Sequence, residues 1–396
     1  MKPMPPSRDD ILSAAAVRAR CGVVLAAAER DETPHFRLHP DRLDAAVRLV
    51  ADITRRRFPD LRVPFHSRWR HFAAGGVDRA ALVAPGADPA ETARSRLDLA
   101  IVSVLLDAGA GAGWRYREAE TGLVLSRSEG LGVASLRAVQ AGLFSADPAN
   151  PWRADAAALA TLEPAALAAA MQHRPGNELA GFAGRAALLR RLGEAARDTP
   201  AVFGRPARLG HLFDYVEGRD GKSAITAPDL LRTILVALGP IWPGRPLGDC
   251  GRHRAVPGDG LVPFHKLSQW LTYSLIEPLR DGGLAVTALD GLTGLAEYRN
   301  GGLFIDLGII APRDPALASR ILDPQDEAVV EWRALTVALL DRLAGRVRAA
   351  LGKPAAAFPL ACVLEGGSWE AGRAAALARR PDGRPPLTVA SDGTLF

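Results

Sequence analysis

Lysine is almost missing from this chain, although the chain is basic. Only four of its 49 basic residues are lysine, namely Lys2, Lys222, Lys266 and Lys353, and the other 45 are arginine. The net charge of +5 and the pI near 9.4 are compatible with an anionic ligand. A codon bias towards arginine gives the same charge without any function, so the charge favours phosphate-bearing ligands only mildly.

Cysteine and long apolar runs are also scarce. The three cysteines, Cys21, Cys250 and Cys362, lie far apart, and this odd number fits a reducing cytoplasm better than a disulfide scaffold. No uncharged apolar run approaches the roughly 18 residues of a membrane span, and the start MKPMPPSRDD has no apolar signal region. We therefore expect a cytoplasmic protein with no membrane partner.

Two-residue alternation of apolar and polar residues, which is typical of half-buried strands, is nearly absent. Apolar residues recur instead at helical spacing, and alanine and leucine around the apolar run 99–106 favour a helix there. The other segments with a helical pattern are 9–50, broken by a turn at 31–34, and 131–142, 154–171, 179–197 and 325–351. The sequence therefore predicts a mainly α fold.

Length and composition limit the domain organisation. With 396 residues, 48% of them hydrophobic and 23% charged, the chain can bury a large core and is too apolar for wholesale disorder. We predict an N-terminal helical portion at 1–95, a helical body at 96–380 and a tail at 381–396. A single large domain remains an alternative.

The segment 263–279 reads PFHKLSQWLTYSLIEPL and predicts a helix that begins near a proline. On this helix Lys266, Trp270, Tyr273 and Glu277 follow one another at steps of four, three and four residues, so they share one face. This face is either a boundary stripe with core rings and solvated charges, or a ligand-binding face. The rarity of lysine favours the second interpretation slightly, because a compact ammonium suits a phosphate or ribose oxygen.

The segment 293–304 reads TGLAEYRNGGLF and predicts a short helix. Asp290 or Thr293 would cap its N-terminus, and the residues 300–302 would end it.

Glu297 is the acid of this segment and lies between Leu295 and Phe304. Apolar neighbours would desolvate its carboxyl group and raise the pKa, which suits an acid–base group. The alternative is a surface pair with Arg299, which would contribute little to stability. Both interpretations stay open at this point.

The basic run 54–72 carries six arginines and two histidines with interleaved aromatic residues. It could bind nucleic acid or form an interdomain face.

Cys250 and His253 lack a second pair of ligands that would complete a zinc site, and the chain has neither a GxGxxG nor a P-loop pattern. We expect no metal and no cofactor.

Glu327 and Glu331, one helical turn apart with Arg333 nearby, are interpreted as a solvated face.

Four long segments carry a resemblance to a known family: DLAIVSVLLDAGAGAGWRY at 98–116, RSEGLGVAS at 127–135, the segment 263–279 and DGLTGLAEYRNGGLFIDLG at 290–308. With them the chain resembles a family of proteins of unknown function tied to uracil catabolism in fungi and bacteria. In that pathway, as the resemblance implies, uracil becomes UMP and a protein similar to the riboflavin-type GTP cyclohydrolase opens its ring. A ribosylurea phosphate then remains to be split.

A more distant similarity is to the queuosine-salvage nucleotide N-glycosylases, which are helical and related in fold to the helix-hairpin-helix DNA glycosylases. Their aromatic-x-Lys motif resembles 264–266, and their acid-Tyr-Arg motif resembles 297–299. This chain has Glu297 where they usually have aspartate, and Asn-Gly-Gly at 300–302 where they have Val-Pro-Gln. The similarity implies a DNA-glycosylase-like helical body.

The two resemblances together imply an enzyme that hydrolyses the N-glycosidic bond of a ribosylurea 5-phosphate to urea and ribose 5-phosphate. Glu297 would stabilise the oxocarbenium-like cation or activate water, and Lys266 and Arg299 would hold ribose and phosphate. The residues expected to bind the substrate are His265 at the phosphate, Tyr298 or Trp270 against the ligand, Asp98 and Glu129 at urea or hydroxyl groups, and Tyr273 and Arg333 beside them.

Two alternatives remain. The protein could be a non-catalytic partner that binds the cyclohydrolase-like enzyme and channels its product, or, although nucleic acid is the less expected ligand, a nucleic-acid-binding glycosylase-like protein. The hydrolase requires Glu297 and Lys266 to converge in a cavity that binds a phosphorylated ribosyl compound. The alternatives require an exposed apolar patch or a basic groove.

Overall fold

The computed structural model describes residues 8–111, 113–218, 223–242, 245 and 247–390, and helices make up most of them. This confirms the mainly α fold, whereas the likeness to DNA glycosylases stays a prediction.

The described chain forms two compact units, each assembled from separate segments. The first unit contains the chain up to His66, Leu247–Gln269 and Leu289–Ala390, and the second contains Ser67–Pro246 and Trp270–Ala288. The predicted division near residues 95 and 380 stays a prediction, and 391–396 of the predicted tail lie outside the described residues.

The first unit is mainly helical. Its α-helices are Arg8–Ile11, Ala14–Glu29, Leu43–Arg57, Tyr298–Asp306, Glu327–Leu351, Leu360–Val363 and Trp369–Arg379, with the π-helical turn Leu364–Ser368 and the 3₁₀ turns Pro40–Arg42, Leu289–Gly291 and Pro315–Ser319. Its short strands pair as Phe36–Leu38 with Ile310–Pro312 and Cys250–Arg252 with Leu261–Pro263, both antiparallel, and Ile321–Leu322 with Thr388–Val389, parallel.

The long helix Glu327–Leu351 forms the centre of the first unit and is buried over most of its length. It packs against Ala14–Glu29 and Leu43–Arg57, the two helices that the N-terminal pattern predicts. Tyr298–Asp306, which we call the capped helix, packs against it and against Trp369–Arg379. At Gly372 the backbone of the helix Trp369–Arg379 comes very near to the capped helix. A Cβ atom on Gly372 would lie 2.1 Å from the carbonyl oxygen of Arg299.

The second unit is also helical. Its α-helices are Trp69–Phe72, Pro89–Leu105, Arg127–Gln140, Ala156–Ala160, Pro164–Ala170, Phe182–Asp198, Pro200–Phe203, Leu212–Gly218 and Ala227–Leu238, with 3₁₀ turns at Ala74–Gly76, Ala80–Leu82, Leu209–His211 and Gly239–Ile241. Tyr116–Arg117 pairs antiparallel with Val124–Leu125, and Ala224–Thr226 pairs parallel with Ala285–Thr287. The helix Lys266–Asp281, which we call the lysine helix, has its first turn in the first unit and the rest in the second.

Several predicted helices have different limits in the structure. The pattern at 154–171 forms two short helices because the chain turns before Pro164, which begins the second. The capped helix begins at Tyr298 and continues through Gly301 and Gly302 to Asp306, so the predicted end at 300–302 was wrong. Its glycines serve packing instead, since a Cβ atom on Gly301 would lie 2.7 Å from Nε1 of Trp332.

We expect Gly372→Ala to lower the free energy of unfolding by about 1–3 kcal/mol, because the added methyl group meets backbone atoms that cannot move aside. The matched control is Gly345→Ala in the exposed part of the long helix, where nothing lies within 4 Å of the added Cβ atom. There alanine should stabilise by about 0.5–1 kcal/mol. Thermal unfolding of the two variants measures both effects, and a stabilised Gly372→Ala protein would contradict the close packing.

Candidate functional site

Glu297 caps the N-terminus of the capped helix with its own side chain. Its Oε2 accepts a hydrogen bond from the backbone N–H of Arg299 at 2.7 Å, and its Oε1 accepts one from that of Asn300 at 2.6 Å. Two amides and the positive end of the helix dipole therefore hold this carboxylate in one orientation.

The expected caps were wrong. The carboxylate of Asp290 accepts hydrogen bonds from Arg348 and from the backbone N–H of Leu360 at 2.8 and 2.9 Å. Thr293 pairs with the side-chain amide of Gln269, which accepts from the threonine N–H at 2.9 Å and donates to its hydroxyl at 2.6 Å. Because Gln269 lies in the first turn of the lysine helix, this pair joins that turn to the chain that leads to Glu297.

The environment of Glu297 raises the pKa of its carboxyl group. Burial is the largest cause, and it is opposed by the N–H groups of Arg299 and Asn300 and by the positive charges of Lys266 and His66. Glu297 is partly buried, and the direction of this shift agrees with the expected desolvation. The acid and the lysine of the two motifs therefore lie within electrostatic reach of each other, in one unit.

A buried ion pair contacts the two segments that carry these groups. The guanidinium of Arg333 donates to both carboxylate oxygens of Asp249, at 2.8 and 2.7 Å, and stacks on Phe264 with its central carbon 4.0 Å from the ring centre. Burial raises the pKa of Asp249, but the charge and hydrogen bonds of Arg333, together with the N–H of Lys266 and the neighbouring His265, outweigh burial and lower the pKa. The fork-shaped contact also fixes the relative orientation of the two side chains.

The same pair connects the chain before Lys266 to the chain before Glu297. The Asp249 carbonyl oxygen accepts from the N–H of Phe264 at 2.8 Å, and its carboxylate accepts from the N–H of Lys266 at 3.1 Å. On the other side, Nε of Arg333 lies 3.5 Å from the carbonyl oxygen of Ala296. Arg333, predicted to bind substrate, is thus occupied with positioning, and a substrate contact stays a prediction.

His265 is buried beside this pair. Its Nε2 lies 3.0 Å from the carbonyl oxygen of Ile11, and burial lowers the pKa of its imidazole. A neutral ring brings no positive charge to a phosphate. The role predicted for His265 at the phosphate is untested, and its contact with Ile11 suits a structural one.

Arg299 is buried as well. It donates to the carbonyl oxygen of Gly383 at 2.9 Å, and its guanidinium carbon lies 5.0 Å from the ring centre of the exposed Tyr298 and 5.9 Å from that of Trp369. The alternative of a surface pair with Glu297 is therefore wrong, because Glu297 bonds the backbone of Arg299. The ligand contacts predicted for Tyr298 and Arg299 remain untested.

His66 acts electrostatically on Glu297 and is not among the site residues predicted from the sequence. Its Nδ1 lies 3.0 Å from Oε2 of Glu365, and Oε1 of the same carboxylate accepts from Arg57 at 3.2 Å. Glu365 belongs to the π turn Leu364–Ser368, and such turns are frequent at functional sites. The basic run 54–72 contained this histidine, but its pattern indicates positive charge rather than a site.

The interpretation of Glu327 and Glu331 as a solvated face was wrong for Glu331. This side chain is fully buried, accepts from the backbone N–H groups of His35 and Phe36 at 3.2 and 2.8 Å, and contacts Nε2 of His253 at 3.0 Å. Glu331 therefore holds the strand Phe36–Leu38 against the long helix.

The remaining predicted residues lie in the second unit. Asp98 is fully buried and accepts from Arg208 at 2.7 Å and from the N–H of Gly210 at 2.6 Å, and burial raises its pKa to about 7. Both oxygens of Asp98 are thus engaged within the protein, and its predicted ligand contact remains a prediction.

Trp270 and Tyr273 are buried rings, as the boundary-stripe interpretation expects.

A second polar cluster in this unit surrounds Arg68. Its guanidinium is fully buried, donates to Ser103 at 2.6 Å and Asp107 at 2.9 Å, and lies 5.6 Å from the ring centre of Trp270. Burial lowers the pKa of Arg68, while Asp107 and the predicted site residue Glu129 raise it. Glu129 therefore lies near a buried cation.

Over the described ranges, no group of three or more histidine, cysteine, aspartate or glutamate residues could hold a metal ion. In the same residues, none of the helices is long and apolar enough to span a membrane.

A family model described as "Protein of unknown function (DUF1688)" matches residues 10–396. The chain belongs to the DUF1688 family. A similar protein is Protein urg3 of Schizosaccharomyces pombe, 38% identical over 404 residues that cover 98% of each chain. Another is Uracil catabolism protein 4 of Lachancea kluyveri, 35% identical over 407 residues, or 91% of this chain and 92% of the relative. The family resemblance expected from the four segments is confirmed.

In this DUF1688 protein we expect Asp249→Ala to lower the free energy of unfolding by about 3–5 kcal/mol, because it leaves the Arg333 guanidinium buried without its partner. The matched control is Asp44→Ala, which breaks an exposed pair with Arg346 of the same long helix and should cost at most about 1 kcal/mol. Denaturant unfolding compares the two. Equal small losses would contradict the central position of the buried pair.

Proposed function

We propose that this protein hydrolyses the N-glycosidic bond of a ribosylurea 5-phosphate during uracil catabolism and releases urea and ribose 5-phosphate. The observation that carries the proposal is that a partly buried acid, Glu297, lies within electrostatic reach of the lysine ammonium of Lys266, on two segments held together by Asp249 and Arg333. The pathway is supported by the relative called Uracil catabolism protein 4.

Hydrolysis of an N-glycoside needs a negative group beside the sugar. As the bond between C1 and nitrogen lengthens, positive charge develops on C1 and the ring oxygen, and a water molecule attacks C1. A carboxylate fixed beside C1 stabilises this charge and accepts a proton from the water. Glu297 suits both tasks, because two backbone amides orient it and burial strengthens its affinity for a proton.

Lys266 supplies the complementary charge. It is partly exposed at the start of the lysine helix, and its backbone is held by the carboxylate of Asp249. A compact ammonium suits a phosphate or a ribose oxygen, and binding energy from a remote phosphate can be used to accelerate the reaction at C1. We assign Lys266 to the 5-phosphate.

Nucleic-acid binding receives little support from the basic run 54–72. Arg57 contacts Glu365, and within the second unit Arg68 contacts Asp107 and Arg70 contacts Glu277 at 2.6 Å. These three guanidinium groups have carboxylate partners within the chain, whereas a phosphate-binding groove needs cations that are available to the ligand.

Glu297→Gln tests the catalytic role. We expect kcat for ribosylurea 5-phosphate to fall by roughly 10²-fold or more, because the variant loses the charge and the proton acceptor, while the substrate still binds. Calorimetric binding and the release of urea measure the two effects separately.

Because Glu297 also caps a helix, the control makes the same chemical change at another cap. Asp88 accepts from the N–H of Glu91 at 2.8 Å at the start of Pro89–Leu105. Asp88→Asn should lower the melting temperature without lowering turnover. If Glu297→Gln behaves in the same way, with turnover within a few-fold of wild type, Glu297 is only a cap.

Lys266→Ala tests the phosphate assignment. We expect a loss in kcat/KM of roughly 10²-fold for ribosylurea 5-phosphate and a much smaller loss for ribosylurea without the phosphate, because a remote anchor acts only through the group it binds. Lys353→Ala, which removes another lysine of the first unit, should leave both rates unchanged. Equal losses on both substrates would show that Lys266 does not bind the phosphate.

A further inference from the structure

We propose that His66, oriented by Glu365, is the acid that donates a proton to the departing urea nitrogen. This proposal rests on the proposed hydrolysis and adds a third group to its site.

The geometry of the pair resembles that of a positioned acid. Nδ1 of His66 lies 3.0 Å from Oε2 of Glu365, and each side chain is only 12% exposed. A carboxylate at Nδ1 keeps the hydrogen on that nitrogen and fixes the plane of the ring, so that Nε2 exchanges the second proton. The backbone N–H of His66 also donates to the carbonyl oxygen of Ala361 at 3.1 Å, which fixes the chain at this residue.

Glu365 is itself held firmly. Arg57 donates to its Oε1 at 3.2 Å and to its backbone carbonyl oxygen at 2.5 Å. The π turn that carries Glu365 packs against the helix Leu43–Arg57, where a Cβ atom on Gly367 would lie 2.4 Å from the carbonyl oxygen of Val50. Because the two backbones lie this close, the turn has little freedom to move. Glu365, the partner of His66, is therefore fixed as well.

The same π turn connects the histidine to the capped helix. At its end, Ser368 donates to Oδ1 of Asn300 at 2.8 Å, and the backbone N–H of Asn300 donates to Glu297 at 2.6 Å. One short turn thus positions the partner of His66 and a neighbour of Glu297. His66 is also among the groups that act electrostatically on the Glu297 carboxyl group and oppose the rise in its pKa.

The reaction needs such an acid because a urea anion is a poor leaving group. When the bond between C1 and nitrogen breaks, its electron pair goes to the nitrogen, which takes a proton from the imidazolium of His66. The water oxygen forms the new bond to C1, and its proton goes to Glu297. One water molecule is consumed, and both side chains regain their starting states by proton exchange with solvent.

The test compares two leaving groups in His66→Gln. One substrate is ribosylurea 5-phosphate, and the other is 4-nitrophenyl riboside 5-phosphate, whose phenolate departs without a proton. We expect His66→Gln to slow release of urea by roughly 10²-fold or more and release of nitrophenolate by only a few-fold. Glu297→Gln should slow both, because both reactions pass through the cation.

Two further variants complete the test. Glu365→Gln keeps the imidazole but weakens its orientation. It should therefore also slow release of urea more than release of nitrophenolate, but by a smaller factor than His66→Gln does. It replaces His66→Gln in the test if that variant does not fold. The matched control is His35→Gln, since His35 contacts another glutamate, Glu327, at 3.4 Å in the same unit, and it should change neither rate.

The outcomes separate the two proposals. Equal losses on both substrates, or no loss on either, in His66→Gln and Glu365→Gln would overturn the role of His66 as proton donor while the hydrolysis stands. A wild-type protein that cleaves neither substrate would instead overturn the proposed function and this role with it.

Discussion

The buried pair of Asp249 and Arg333 is the interaction on which the candidate site depends. Each charge is stable in the interior only while its partner is present, and replacing such a pair by apolar residues often costs nothing in stability. What the pair determines is geometry. It binds the chain just before Lys266 and approaches the carbonyl oxygen of Ala296, so two segments distant in sequence acquire one fixed relation. Because of that relation, the acid and the cation of the site lie within electrostatic reach of each other.

Glu297 experiences two opposing influences, and their balance suits a residue that caps a helix and is also the base of the proposed hydrolysis. Two backbone amides and two positive side chains favour its charged form, whereas burial disfavours that form and is the largest cause. The carboxyl group therefore has a higher pKa than an exposed glutamate and a fixed orientation. In the proposed hydrolysis, a base of this kind stands beside the developing cation without reorganisation, which is how fixed charges accelerate reactions.

The helices and the two motifs could be predicted from the sequence, because helical periodicity is local and Lys266 stands out in an arginine-rich chain. The cap could not, since Asp290 and Thr293 are also suitable residue types and only the tertiary contacts decide among them. The contact of His66 with Glu365 joins residues 299 positions apart, and no local pattern reports such a pair. Spacing also gives the face of a helix without showing what covers it, which is why Glu331 was misinterpreted.

The proposed chemistry joins three groups of one unit: a base, a cation for the phosphate and a histidine acid. The most direct measurement is to incubate the purified protein alone with ribosylurea 5-phosphate and to quantify urea and ribose 5-phosphate over many turnovers. If the protein hydrolyses this compound, both products form in equal amounts at a rate proportional to the protein concentration. A protein that binds the compound tightly but returns it intact would contradict hydrolysis and would indicate a partner that channels this intermediate.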